Sequence, residues 1–236
     1  MNYRKFIEKL DNCTQNEAHK YLDRSLYQVG VFLPSYSSKT HLDLELSLLT
    51  AFYLVGLKEM SATRFLGPLT LFLQKNVSLI NRSKLQKMWD HLGRERAPLM
   101  RLAMHLLGTT VSGNFSPFYL DQRMKALVDK KLAKEGTFME VPLSLGLMIP
   151  AGSVRLRESD LVPELVLFKR NKQLRERLFM GGTFRADVSF QLKRNPATTP
   201  SDLEKRFAMT HEPAFRLLTD LKRARSLTSS NSFAMS

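Results

Sequence analysis

Residues 169–177 read Lys-Arg-Asn-Lys-Gln-Leu-Arg-Glu-Arg, five cations against a single carboxylate. Such a run suits contact with a phosphate chain, because each cation that meets a phosphate releases a condensed counterion. If about five did so, affinity would fall roughly 10²- to 10³-fold between low and moderate salt. The candidates are Lys169, Arg170, Lys172, Arg175 and Arg177. The bland alternative is a solvated helix face laced by Glu176, but little acid stands nearby to balance the run. A second basic set, Arg82, Lys84, Lys87, Arg94, Arg96 and Arg101, surrounds Trp89. An aromatic among cations can hold a single strand by stacking plus charge. A tryptophan buried in a helical core explains Trp89 as well and is preferred.

Catalytic chemistry finds little support. His19, His41, His91, His105 and His211 are scattered, with no pair at the spacing of a helical metal site. Gly181-Gly182 lacks the Lys-Ser or Lys-Thr that completes a phosphate loop. Glu158, Asp160 and Glu164 lie near Lys169, but the lysine spacing does not fit a metal-dependent nuclease. No serine or cysteine has the flanking sequence of an activated nucleophile. The expectation is a non-enzymatic protein with no cofactor and no metal.

Charge placement narrows the class further. The chain has 236 residues with 36 Lys+Arg against 22 Asp+Glu, yet residues 1–60 carry seven of each. The whole excess of +14 lies beyond residue 60. A polyanion-binding body behind a neutral module is the natural reading, and residues 1–60 become the place for self-association or a protein partner. Cys13 is the only cysteine, so no internal disulfide forms and a reducing, intracellular setting (cytoplasmic, nucleoid or nuclear) fits. The opening residues lack a signal-peptide apolar run, and Leu46–Leu57 is too short to span a bilayer, so no membrane contact is expected.

The elements that must position these cations are mostly helical. Apolar spacing predicts helices over 3–13 and 14–29, the second opened by a Thr14-to-Glu17 capping box. Residues 40–57 read as a buried helix capped by Thr40. A helix from Ser61 should kink or break at Pro68. Two more cover 83–91 and 96–107, and a long one runs from Ser116-Pro117 to Glu135. Four short stretches read as strands: 138–149, 154–157, 164–168 and 184–192. The tail from Ser226 is polar and should be mobile.

At the C-terminus, Thr199 caps a helix with Pro200 at its first position, where a missing N–H costs nothing, and Asp202 in its first turn. The break falls at Ala208-Met209, and Thr210 can cap a second helix with Glu212 in its first turn. Leu203, Phe207, Met209, Ala214, Leu217, Leu218 and Leu221 supply the packing positions. This segment, 199–225, resembles the helix-turn-helix of winged-helix DNA-binding domains, whose second helix enters the major groove. The resemblance implies base-edge contacts from His211, Glu212, Phe215 and Arg216, with Thr219 and Lys222 further along. It makes Arg216 a bidentate donor to guanine and Glu212 an acceptor from cytosine. Thr199, Lys205 and Arg206 would hold phosphates and set register. A strand pair from 164–192 would supply the winged sheet.

Taken together, the expectation is a mainly α chain with a small β unit (α+β). A helical body covers 1–136, and 137–236 holds the β unit and the terminal two-helix motif. Its function would be duplex DNA binding, as in a regulator or a replication or partition factor. The alternative is a structural protein coating single-stranded RNA in a basic groove, like a viral nucleoprotein. A third possibility is a basic subunit of a large ribonucleoprotein particle.

Overall fold

The computed structural model describes residues 2–33, 36–37, 43–57, 63–111, 113, 115–119, 140–150 and 154–233. Helices α1 (Tyr3–Asp11) and α2 (Gln15–Gln28) open the chain, α2 starting from the expected Thr14–Glu17 capping box. Helix α3 (Leu44–Val55) follows, and every one of its residues is buried. Its sequence LELSLLTAFYLV is apolar on all sides, so it can be stable only as a central helix. Asp43, not Thr40, caps it by accepting from Leu46 N; Thr40 lies outside the described residues. Its serine and threonine hydroxyls are satisfied locally: Ser47 Oγ donates to Asp43 O and Thr50 Oγ1 to Leu46 O.

Around α3 pack α2, α4 (Leu66–Lys75), α5 (Arg82–Leu92) and α6 (Met100–Leu106). Pro68 does not break α4. It sits in the first turn, where proline removes no intrahelical bond. The long helix read from Ser116 begins instead as a two-residue strand, β1 (Phe118–Tyr119); the rest of that segment lies outside the described residues. β1 pairs in parallel with β2 (Leu147–Met148), Phe118 opposite Leu147 and Tyr119 opposite Met148. Of the expected strand 138–149 only Leu147–Met148 forms one, as β2; a short helix α7 (Glu140–Ser144) precedes it, and 138–139 lie outside the described residues.

Three of the expected strands are absent. Residues 164–168 and 184–192 lie in helices α8 (Glu164–Arg170) and α10 (Phe184–Arg194), and 154–157 are irregular. Helix α9 (Lys172–Met180) stands between them. Asn171 starts α9 by accepting from Gln173 N and Leu174 N, and Thr183 starts α10 by accepting from Ala186 N. The Thr183 cap selects helix for 184–192, where the apolar pattern alone was ambiguous, whereas α8 opens at Pro163 without a side-chain cap. No sheet for a winged domain is built from 164–192.

At the C-terminus the two expected helices form. Helix α11 (Pro200–Phe207) opens from a capping box between Thr199 and Asp202. Ala208 then turns in the left-handed region at φ 55°, and α12 (His211–Phe233) follows after Thr210. Residues 226–233, read as a tail, continue that helix. Leu203, Phe207, Met209, Ala214, Leu218 and Leu221 close on Val188 and Leu192 of α10 as a separate apolar cluster, with Leu217 at its edge. The larger cluster draws on residues from Tyr3 to Leu174, and Ala208 also joins it.

Candidate functional site

Two features stand out, an exposed helical face and a buried knot of charge. The face belongs to α12. Ala214, Leu218 and Leu221 point inward, while His211, Glu212, Phe215, Arg216, Thr219 and Lys222 are exposed on the other sides. Phe215 keeps 55% of its surface in water, unusual for a large apolar residue that has no partner to meet. Arg216 is paired with Glu212 one turn earlier, and His211 Nδ1 lies 2.6 Å from Glu204 Oε1. Lys222 Nζ donates to Thr198 O at 3.3 Å. On α11, Lys205 is exposed and Arg206 is half-buried against the Phe207 ring.

The basic run of 169–177 divides by burial. Lys169, Lys172 and Arg175 are exposed and form no ion pair among the described residues. Arg170 is half-buried over the Tyr27 ring at 4.4 Å. Glu176 does not lace its own helix; it pairs with Lys193 of α10 at 2.5 Å. Lys172, Arg175 and Phe179 recur at helical spacing, and Phe179 is 86% exposed.

The set around Trp89 does not form a cationic surface. Trp89 is buried, and its Nε1 donates to Ala97 O. Arg94 pairs with Asp90 at 2.6 Å, Arg96 with Asp11 at 2.7 Å, and the buried Arg101 with Glu95 at 2.9 Å. Arg82 and Lys87 stay exposed, with the Lys87 ammonium 5.5 Å from the Phe184 ring centroid.

Lys84 and Arg177, expected to meet phosphates, are instead fully buried together. Lys84 Nζ contacts Asp43, Glu45 and Asp187 at 2.5, 2.9 and 3.0 Å. Arg177 grips Glu45 with two nitrogens, Nη2 reaching Oε2 at 2.8 Å, and donates from Nε and Nη2 to Asp187 Oδ1. Its Nη1 also donates to Leu79 O. Gln173 Nε2 donates to Asp187 and Asp43 while its Oε1 accepts from Leu44 N. Sequence reasoning missed Asp43, Glu45, Asp187 and Gln173. The available signal was Glu45, a carboxylate on an otherwise apolar helix, which must have a partner.

The charges in this knot depend on one another. Burial would raise Glu45, but Arg177 and Lys84 hold it well below the usual carboxylate range. Burial disfavours the charged forms of Lys84 and Arg177, yet Asp187 and the other carboxylates drive both above their ordinary values. Asp43 goes the other way: burial pushes it up against the pull of Lys84, and Glu45 and Asp187 add to the rise. Asp43 is thus a weaker acid than Glu45. A cavity of 10 Å³ beside it, lined in part by Gln173, Arg206 and Phe207, is far too small for an organic substrate. The knot is structural. It joins α3, α5, α9 and α10, and the Lys84 ammonium reaches the terminal unit by lying 4.6 Å from the Phe207 ring centroid.

Among the described residues no three His, Cys, Asp or Glu side chains are placed to hold a metal ion. Among them, too, no helix is long and apolar enough to cross a membrane. Set against known protein families, curated proteins and solved structures, the chain matches none.

Proposed function

We propose that this chain is a nucleic-acid-binding protein that docks on duplex DNA through α11, the turn at Ala208 and α12. The observation that carries the reading is the geometry of that unit. An eight-residue helix, a three-residue turn entered through a left-handed residue, and a second helix form one apolar cluster and leave one row exposed. A helix presenting His211, Phe215, Arg216 and Thr219 to solvent has the reach and donor set for base edges in the major groove. Lys205, exposed on α11, would hold phosphates beside it. The Glu212–Arg216 pair would open on docking, each partner then free to read a base.

A second reading, single-strand coating, is favoured by the stripe Lys172, Arg175 and Phe179, where charge and an exposed ring alternate along α9. Binding to duplex DNA and to single-stranded RNA across a salt series separates the two. If α12 reads DNA, Arg216→Ala relaxes sequence preference on duplex. If the chain coats RNA, Arg216→Ala changes nothing and Lys172→Ala weakens length-dependent, sequence-indifferent binding.

A further inference from the structure

Three consecutive apolar side chains end α9 in solvent: Leu178 keeps 48% of its surface exposed, Phe179 86% and Met180 39%. The other exposed large apolar side chains among the described residues, Phe32, Leu156, Leu165 and Phe215, stand singly in the sequence. A contiguous set marks an interaction surface. Nor is this a frayed helix end. Arg177, the residue before the set, is locked into the buried knot by Glu45 and Asp187. Gly181 N–H closes the helix on Arg177 O at 2.8 Å, and Gly182 N–H donates to Ser78 O at 2.8 Å. Both sides of the tip are fixed to the body, so the three side chains are held outward.

Cations frame the tip. Arg175 lies one helical turn from Leu178 and Phe179, and Lys172 one turn further back. Arg185 stands in the first turn of α10, which folds back against α9. All three are exposed and form no ion pair among the described residues. Between Lys169 and Arg185 the one carboxylate is Glu176, and it faces Lys193. An occupant must therefore be anionic and offer apolar depth beside its charge. An anionic lipid surface has both, with charged headgroups above hydrocarbon. A single-stranded nucleic acid has the charge, but its bases stack on rings, and Leu178 and Met180 have none. A protein partner would need an acidic-rimmed cavity shaped to the tip, whereas a bilayer takes a tip of any shape. The sequence expectation of no membrane contact rests on the lack of a spanning segment, which contact with the surface does not need.

We infer that the end of α9 docks on anionic lipid bilayers, with Leu178, Phe179 and Met180 entering the interface while Lys172, Arg175 and Arg185 meet headgroups. The inference goes beyond the DNA-docking reading and does not depend on it.

The test is co-sedimentation of the full chain with phosphatidylcholine vesicles, with and without phosphatidylserine; binding is expected only where phosphatidylserine is present. A chain of net charge +14 adsorbs to many anionic surfaces, so the deciding variant alters no charge. Leu178→Ser with Phe179→Ser should lower partition onto the phosphatidylserine vesicles at least about tenfold, since burying one phenyl side chain accounts for that much. Both side chains are exposed, so the urea midpoint should hold. Phe179→Trp should shift its emission to the blue on vesicles and be quenched by brominated lipid, which bare adsorption would not produce; Trp89 is buried and gives a fixed background. Arg216→Ala leaves vesicle binding unchanged, which keeps this result separate from DNA docking. No binding to phosphatidylserine vesicles, equal partition by the serine pair, no quenching, or a loss confined to single-stranded RNA would overturn the assignment.

Discussion

Arg177 and Glu45 meet end to end in the interior, two guanidinium nitrogens on two carboxylate oxygens, across 132 residues of sequence. Neither side chain touches solvent. Such a pair is weak as a net source of stability, because both charges had to leave water, but breaking it strands one of them. The expected result is that Arg177→Ala lowers the free energy of unfolding by about 3–5 kcal/mol. Arg96→Ala, removing a half-exposed partner of Asp11, costs no more than about 1 kcal/mol. Urea denaturation of the two variants measures the contrast, and equal midpoints would refute it.

The same knot sets the acid limb of stability. Glu45 titrates below its ordinary 4.5 in the folded chain, so its contribution is complete above that value and fades as pH falls beneath it. Asp43 has the opposite sign. Its carboxyl is raised above 3.8, so it favours the folded state while protonated and loses that contribution as pH rises through its folded value. Melting temperature should therefore fall below about pH 4.5, and Glu45→Gln should flatten that fall while lowering the neutral plateau. Asp43→Asn should cost less at neutral pH than Asp187→Asn, since one of three carboxylates facing two cations is in excess.

Thr199 caps the first helix of the terminal unit. Its hydroxyl accepts from Asp202 N while the Asp202 carboxylate takes the Thr199 N–H at 2.9 Å. Thr199→Ala should cost about 1 kcal/mol. Hydrogen exchange should rise across residues 200–207 first and leave α3 protected, since the small cluster of Val188 to Leu221 is separate from the main core.

Lys169, Lys172 and Arg175 offer a test of surface charge without a folding penalty. Replacing all three by alanine should leave the unfolding midpoint within about 0.5 kcal/mol of the parent for each site. If these side chains meet phosphates, the dependence of log affinity on log salt should become shallower by roughly 2 to 3. An unchanged slope would remove α9 from the interface.

Where the sequence and the structure agree, the determinants are local. Thr14, Thr199 and Pro200 act within one turn, so α2 and α11 could be placed from a few residues. The largely apolar run from Leu46 to Leu57, too short to span a bilayer, pointed to a buried helix. Residues 164–168 and 184–192 misled because short apolar segments fit either period; the cap of the second, Thr183, lies just outside it, and the first has no side-chain cap at all. The larger loss was in reading charge. Lys84 and Arg177 look like surface cations in one dimension, and only long-range packing brings Asp43, Glu45 and Asp187 to them. Gly181-Gly182, read as a failed phosphate loop, proves to be a point of close approach to Ile80.

The wiring of the ionic knot also constrains how the chain is made. Asp43, Glu45 and Lys84 leave the ribosome well before Arg177 and Asp187. Until then a nascent chain holding α3 and α5 cannot close its centre without trapping bare charge, so native consolidation must wait for distant sequence. A product truncated before Arg177 would lack a partner for Glu45 and remain open to proteases.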